Sequence, residues 1–90
     1  MNKKRTKLEV IRDILNTIKS KNGKIKPTHI LYKSNLSYQM MDEYLTELKG
    51  KGFIIDNGKQ KGRTYTVTEK GFKFLEQYNL IVDFTSSFGL

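Results

Sequence analysis

Residues 34–71 have the sequence SNLSYQMMDEYLTELKGKGFIIDNGKQKGRTYTVTEKG, and they contain in one run the patterns of a helix, a two-stranded hairpin and the start of another helix. The first of these helices begins behind Ser37, whose hydroxyl can accept a hydrogen bond from a free amide of the first turn. Its apolar residues recur at helical spacing and predict one buried face: Met41, Tyr44, Leu45 and Leu48. Gly50 and Gly52 mark its end, because glycine adopts the left-handed conformation at the least cost.

A hairpin follows this helix. The segments 53–55 and 64–67 are rich in β-branched and aromatic residues, and the turn between them contains two glycines. Three basic residues lie at or beside this turn: Lys59, Lys61 and Arg63. The sequence therefore predicts a two-stranded hairpin with a positively charged tip.

The residues before residue 34 supply two helices. Thr6 and Glu9 match a capping box, and the apolar residues behind them predict an amphipathic helix that ends at residues 22–23. Pro27 suits a first helical position and opens a short second helix. Between these helices, residues 23–25 are expected to form a very short strand that adds to the hairpin.

The order of these elements predicts the fold. Two helices joined by a turn at residues 34–36 form a helix-turn-helix, the hairpin follows it as a wing, and Thr68 caps a last helix. The order α-β-α-α-β-β-α predicts an α+β winged helix-turn-helix. We expect residues 1–67 to form this module with a basic N-terminal arm, and residues 68–90 to form a C-terminal dimerisation helix and tail.

Composition narrows the class of protein. Ninety residues make one small domain, and the chain has no cysteine for a disulfide framework or a thiolate metal site. The N-terminal lysines are not followed by the apolar segment of a signal peptide, and no apolar run approaches the roughly 20 residues of a membrane span. We therefore expect a cytoplasmic protein with no membrane partner.

The net charge of +8 is unevenly placed. Residues 1–26 carry nine Lys or Arg against two acidic residues, and the hairpin tip adds three cations. Lys and Arg side chains that contact phosphates release condensed counterions and provide most of the sequence-independent affinity for nucleic acid. We predict backbone contacts to double-stranded DNA from Lys3, Lys4, Arg5, Lys59, Lys61 and Arg63. The alternative is that the lysines only keep a small domain soluble.

The second helix of the helix-turn-helix would face the bases, yet residues 37–48 contain three acidic side chains and no cation, a charge of −3. Glutamate accepts a hydrogen bond from the cytosine amino group, and glutamine pairs with adenine through two hydrogen bonds. We predict base contacts from Ser37, Tyr38, Gln39 and Glu43. Two alternatives stay open: Gln39 belongs to a solvated polar face, and Tyr38 packs its ring under the turn and sends only its hydroxyl to a phosphate.

The C-terminal end is rich in apolar residues. Ten of the nineteen residues in 72–90 are apolar, more than one helix face can bury on so small a domain. They form one row at alternating spacings of 3 and 4 and another at a spacing of 7, as in a short coiled-coil seam. We predict a homodimer whose interface contains Phe74, Leu75, Tyr78, Ile81, Val82 and Phe84. In the alternative, the tail folds back to complete the core of the monomer.

Three groups of residues resemble those of a known family: Leu36-Ser37-Tyr38; Tyr44-Leu45-x-x-Leu48-x-x-Lys51-Gly52-Phe53-Ile54; and Tyr65-x-Val67-Thr68-x-x-Gly71 followed by Phe74-Leu75. The chain resembles archaeal winged-helix DNA-binding proteins, which include small dimeric chromatin-associated proteins of crenarchaea. The resemblance implies a dimer formed through the last helix, with the recognition helix toward the major groove and the wing toward the minor groove or the backbone. In those chromatin proteins the last helix runs on into a long antiparallel coiled coil, whereas Ser86-Ser87 and Gly89 interrupt the pattern here.

The sequence offers little for catalysis. His29 is the only histidine, and Gly58-Lys59 lacks the spacing of a phosphate-binding P-loop. Asp42 and Glu43 are adjacent, so on a helix they point about 100° apart, which does not suit shared acid-base work. We predict no enzyme activity, no cofactor and no metal, and no small-molecule effector is evident from the sequence.

Together these patterns predict a nucleoid-associated protein that binds duplex DNA as a homodimer, either a transcriptional regulator or a chromatin-associated protein. The alternative is a winged-helix module that binds another protein through its acidic helix and apolar tail, without direct DNA binding. Salt dependence separates the two functions, because binding to nucleic acid weakens steeply with added salt and an apolar protein contact does not.

Overall fold

The computed structural model describes residues 5–21, 25–58 and 64–90. Within these residues the chain forms, in order, α1 Lys7–Ser20, α2 Pro27–Ser34, α3 Tyr38–Gly50, β1 Ile54–Asp56, β2 Tyr65–Val67 and α4 Glu69–Ser87. The helices α2 and α3 form the helix-turn-helix, the two strands form the wing, and α4 follows. The predicted α+β winged helix with a C-terminal helix is confirmed.

The helices begin where side chains satisfy the free amides of the first turn. At α1, Thr6 and Glu9 form a complete capping box, in which each side chain accepts a hydrogen bond from the other residue's amide. Ser37 and Thr68 cap α3 and α4 with their hydroxyl oxygens, and Pro27 occupies the first position of α2. The four predicted helix starts are therefore confirmed.

The turn between α2 and α3 is tight and anchored at both ends. Asn35 adopts the left-handed conformation, with φ of 55°, which asparagine tolerates better than most residues. The amide of Leu36 donates to the carbonyl oxygen of Leu31 at 3.1 Å, and the side chain of Leu36 enters the core. The direction of α3 relative to α2 is set at this turn.

The wing is a two-stranded antiparallel sheet with Ile55 opposite Thr66. Ile25 makes an isolated bridge to Tyr65. Of the short strand predicted at residues 23–25, Ile25 makes this bridge to the wing, and the other two residues lie outside the described ones.

One hydrophobic core connects the helices and the wing. The first helix contributes a full face: Val10, Ile11, Ile14, Leu15 and Ile18. The other elements contribute further buried apolar side chains: Ile30, Met41, Leu45, Leu48, Ile54, Tyr65, Val67 and Leu75. The inward face of α3 is the one predicted from helical spacing, so the opposite face of α3 points to solvent.

The two halves of α4 differ in burial. In the first half Leu75 is buried, and the ring of Phe74 meets the ring of Phe53 edge-on with centroids 5.6 Å apart. From residue 79 to the end of the helix no side chain is buried. The helix ends at Ser87 and includes the two serines that interrupt the apolar pattern, because serine costs a helix interior only about 0.5 kcal/mol relative to alanine.

Candidate nucleic-acid interface

The N-terminal part of α3 presents a polar face to solvent. Tyr38, Gln39 and Glu43 are all exposed, and Tyr38 retains 69% of its accessible surface. The ring of Tyr38 therefore does not pack under the turn. Ser37 uses its hydroxyl oxygen to cap α3 and keeps its O–H available as a donor. The four side chains predicted to contact bases share one exposed end of one helix.

Two of the three acidic side chains of α3 have partners within the chain. Gln39 Nε2 donates to Glu43 Oε2 at 3.3 Å, one helical turn away. Lys7, at the start of α1, forms an ion pair with Glu47, with Nζ and Oε2 2.9 Å apart. The hydrogen bond of this pair raises the pKa of Lys7 and lowers the pKa of Glu47. One of the three carboxylates is therefore paired with a cation of α1.

Of the predicted basic arm, Arg5 lies within the described residues, and Lys3 and Lys4 lie outside them. Arg5 Nη1 contacts Asp13 Oδ2 at 2.6 Å, and Arg5 Nη2 donates to the carbonyl oxygen of Ser34 at 2.6 Å. The guanidinium is held between α1 and the end of α2. The structure thus gives Arg5 partners within the chain in addition to the DNA contact predicted for it.

The wing is described at its base. The three cations predicted to contact the backbone lie outside the described residues: Lys59, Lys61 and Arg63. Asn57 Nδ2 donates to Thr66 Oγ1 at 2.7 Å, and the Asn57 amide donates to the carbonyl oxygen of Thr64 at 2.9 Å. These bonds tie the two strands together at the end that leads to the tip.

A further cationic surface lies along α2. A cavity of about 210 Å³ is lined by Lys21, His29, Tyr32 and Lys33. Tyr32 is 77% exposed, and none of the described residues that line the cavity is acidic. Lysines beside an exposed tyrosine suit contact with a sugar-phosphate backbone, where both residue types commonly donate to phosphate oxygens.

The predicted dimer interface divides between surface and core. Three of its residues are exposed on the second half of α4: Ile81, Val82 and Phe84. Phe74 and Tyr78 are half-buried against their own chain. Leu75 is 4% exposed and belongs to the core, so it has almost no surface left for a partner. Other exposed apolar residues extend the surface: Leu80, Phe88 and Leu90. In this structure the tail does not fold back onto the core.

A family model described as winged helix-turn-helix matches residues 4–86. The chain belongs to the winged helix-turn-helix family. An uncharacterized protein of Methanocaldococcus jannaschii, MJ0290, is 33% identical over 76 residues, which make up 82% of this chain and 32% of that protein. This winged helix therefore spans about one third of the length of the archaeal relative.

Solved structures share the fold of this winged helix. Sso10a-2, a DNA-binding protein from Sulfolobus solfataricus, matches with a TM-score of 0.79 at 21% identity, over 93% of this chain and 85% of its own. MepR, a transcription regulator of the Staphylococcus aureus multidrug efflux pump MepA, matches with a TM-score of 0.74 at 17% identity, over 87% of this chain and 59% of its own. The predicted resemblance to archaeal winged-helix proteins is confirmed by the family match, the archaeal relative and Sso10a-2.

Three exposed side chains of α2 and α3 were not predicted from the sequence as part of the interface surface: Tyr32, Lys33 and Met40. The available signal on α2 was the i, i+3, i+4 spacing of His29, Tyr32 and Lys33, which places them on one side of a short helix. Met40 gave no signal, because an apolar residue beside Met41 is readily assigned to the buried face.

Within residues 5–21, 25–58 and 64–90, no three His, Cys, Asp or Glu side chains lie together as ligands for a metal ion. In the same ranges no helix has the length and apolar character needed to cross a membrane.

Proposed function

We propose that this winged helix binds duplex DNA as a homodimer and acts as a transcriptional regulator or chromatin-associated protein of the cytoplasmic nucleoid. The observation that carries the proposal is the exposed polar end of α3, held outward by a helix whose opposite face is buried. An α-helix fits the major groove, where its side chains reach base edges. Two structural neighbours support this function: Sso10a-2 is a DNA-binding protein, and a MepR mutant was bound to an oligodeoxyribonucleotide.

Base recognition in this proposal centres on Gln39. A glutamine pairs with adenine when its amide oxygen accepts from N6 and its amide nitrogen donates to N7. The second N–H of Gln39 is taken by Glu43, at 3.3 Å. Glu43 therefore orients the amide of Gln39 before DNA arrives, and Ser37 and Tyr38 supply further donors at the same end of α3.

Backbone contacts supply the rest of the affinity. In this proposal Lys3 and Lys4 of the arm and the three cations of the wing tip contact phosphates. Lys21 and Lys33 extend the positive surface along α2. Each phosphate neutralised by Lys or Arg adds about 0.9 to the slope of log affinity against log salt concentration. The proposed interface therefore predicts a steep salt dependence.

The homodimer rests on the second half of α4. Ile81, Val82 and Phe84 are exposed there, on the half of α4 in which no side chain is buried. Most soluble homo-oligomers are two-fold dimers. A two-fold dimer through α4 places two copies of α3 and two wings on one duplex, as in other helix-turn-helix dimers.

The experiment is a gel-shift titration on random duplex DNA at several salt concentrations, with selection of preferred sequences from the same pool. We expect replacement of all three wing cations by alanine to flatten the log-log salt slope by about 2 to 3 units. Lys73→Ala, an exposed lysine on α4, is the matched control and leaves the slope unchanged. If the parent protein binds no duplex at low salt, the proposal is wrong. The alternative function, a winged-helix module that binds another protein, then replaces it.

The same pool tests base recognition. We expect Gln39→Ala to cost about 1 to 3 kcal/mol on the selected sequence and little on random duplex, because a bidentate pair is lost only at its own base. Thr46→Ala, on the exposed face further along α3, is the control. Equal losses on both DNAs would show that Gln39 does not read a base.

A further inference from the structure

A charged cluster joins the helix-turn-helix turn to the rest of the domain. Arg5 Nη1 lies 2.6 Å from Asp13 Oδ2 on α1, while Arg5 Nη2 donates to the carbonyl oxygen of Ser34 at 2.6 Å and to that of Asn35 at 3.3 Å. Those two carbonyls are the last of α2 and the first of the turn. Helix-end carbonyls lack an intrahelical donor, so the guanidinium satisfies groups that would otherwise need water.

Asp13 is the hub of this cluster. Its other carboxylate oxygen accepts from Arg12 Nε at 2.9 Å and lies 2.8 Å from Arg12 Nη2. The Arg12 guanidinium in turn lies over the Tyr78 ring on α4, 5.3 Å from its centroid. About a quarter to a third of each charged side chain is exposed. One carboxylate thus holds two guanidiniums, one directed to the turn before α3 and one to α4.

We propose that Asp13 is a positioning residue for DNA recognition: it holds Arg5 on the turn that precedes α3 and keeps that guanidinium away from phosphate. The inference rests on the proposed function. The planar guanidinium of arginine makes paired hydrogen bonds to a carboxylate or to a phosphate. Arg5 therefore pairs with whichever of the two groups is held beside it. With Asp13 in place, Arg5 stabilises the turn that sets the direction of α3 and does not add to the backbone contacts.

If Asp13 has this role, variants at the two ends of the pair should differ in salt slope and agree in their loss of sequence preference. Arg5→Gln leaves the salt slope unchanged, because no phosphate contact is lost, but it lowers the ratio of affinity for selected over random duplex. Asp13→Asn lowers the same ratio and steepens the salt slope by about 0.9, because Arg5 is released to a phosphate while Arg12 keeps its place over the Tyr78 ring. The double variant has the slope of the parent, since the released cation is gone.

The control for charge is Glu76→Gln, which changes the net charge by the same amount at an exposed position of α4. We expect this variant to keep the slope and the sequence preference of the parent. The proposal is overturned if Arg5→Gln alone lowers the slope by about 0.9 with the preference intact, since Arg5 is then a phosphate contact. It is also overturned if Asp13→Asn and Glu76→Gln have the same slope.

A measurement without DNA separates this inference from the proposed function. Amide hydrogen exchange of residues 36–41 should quicken in Arg5→Gln and Asp13→Asn relative to the core amides of α1, and should not change in Glu76→Gln. Unchanged exchange in residues 36–41 overturns the positioning role even if DNA binds. Faster exchange with no DNA binding by the parent confirms that Asp13 holds the turn, while the proposed function and the role in recognition both fail.

Discussion

At the scale of single residues, Ser34 stands apart from the other buried side chains. It is 1% exposed at the end of α2, and its Oγ has no hydrogen-bond partner among the described residues. A buried hydroxyl without a partner costs about 1 to 3 kcal/mol. Ser34 contributes to the turn through its backbone, because its carbonyl oxygen accepts a hydrogen bond from Arg5 Nη2.

We expect Ser34→Ala to be neutral or to stabilise the domain by up to about 1 kcal/mol, because the unpaired hydroxyl is removed and the carbonyl is kept. The measurement is the urea midpoint of unfolding. Ser37→Ala is the control, since it removes the N-cap of α3 and should destabilise by about 1 kcal/mol. A loss of more than about 1 kcal/mol in Ser34→Ala would show that the hydroxyl has a partner in solution.

At the scale of elements, the junction between the wing and α4 depends on close approach. A Cβ at Gly71 would lie 2.5 Å from the carbonyl oxygen of Phe53 and 2.6 Å from Val67 Cγ1. Thr68 fixes this approach by accepting from the Gly71 amide and donating to the carbonyl oxygen of Gly52 at 2.6 Å. The pattern Thr68-x-x-Gly71 therefore has a steric reason as well as a capping one.

We expect Gly71→Ala to destabilise the domain by about 1 to 3 kcal/mol, because the added methyl meets backbone that cannot move aside cheaply. Gly50→Ala, at the end of α3, is the matched control: nothing lies within 4 Å of its Cβ. There the better helix propensity of alanine should stabilise by up to about 1 kcal/mol. The measurement is the free energy of unfolding of both variants, from thermal or urea denaturation. Equal stabilities would contradict the close contact of Gly71 with the backbone of Phe53.

At the scale of the whole molecule, the second half of α4 lies apart from the core. The described chain measures 48 × 32 × 21 Å, and a helix of 19 residues is about 28 Å long. The rings of Phe84 and Phe88 contact each other, with centroids 5.1 Å apart, and both remain exposed. An apolar helix end of this kind gains stability only when a second surface covers it.

We expect the combined Ile81→Asp and Val82→Asp variant to be monomeric where the parent is dimeric. Burial of each such side chain contributes roughly 1.5 to 3 kcal/mol before ordering costs, and two are lost from each chain. Sedimentation equilibrium at micromolar concentration measures the mass. Gln77→Asp with Asn79→Asp adds the same charge without removing apolar surface and should stay dimeric. A parent of 10.5 kDa would exclude the homodimer.

Much of the fold, and the exposure of part of the candidate interface, could be predicted from local pattern. The burial of Met41, Leu45 and Leu48 placed Gln39 and Glu43 outward, because a helix has a period of 3.6 residues. The partners of Arg5 did not follow, since Arg5 and Ser34 are 29 positions apart in the chain. No pattern within a few residues of Arg5 reports that contact.

Capping residues and spacing alone were sufficient for the starts of the helices, the hairpin and the order of the elements, because these signals act within about four residues. The tertiary structure alone decided that Leu75 enters the core and that Asp13 and Ser34 lie on two sides of the Arg5 guanidinium. Such contacts join residues that are distant in the chain, so they depend on how every buried side chain of the domain packs at once.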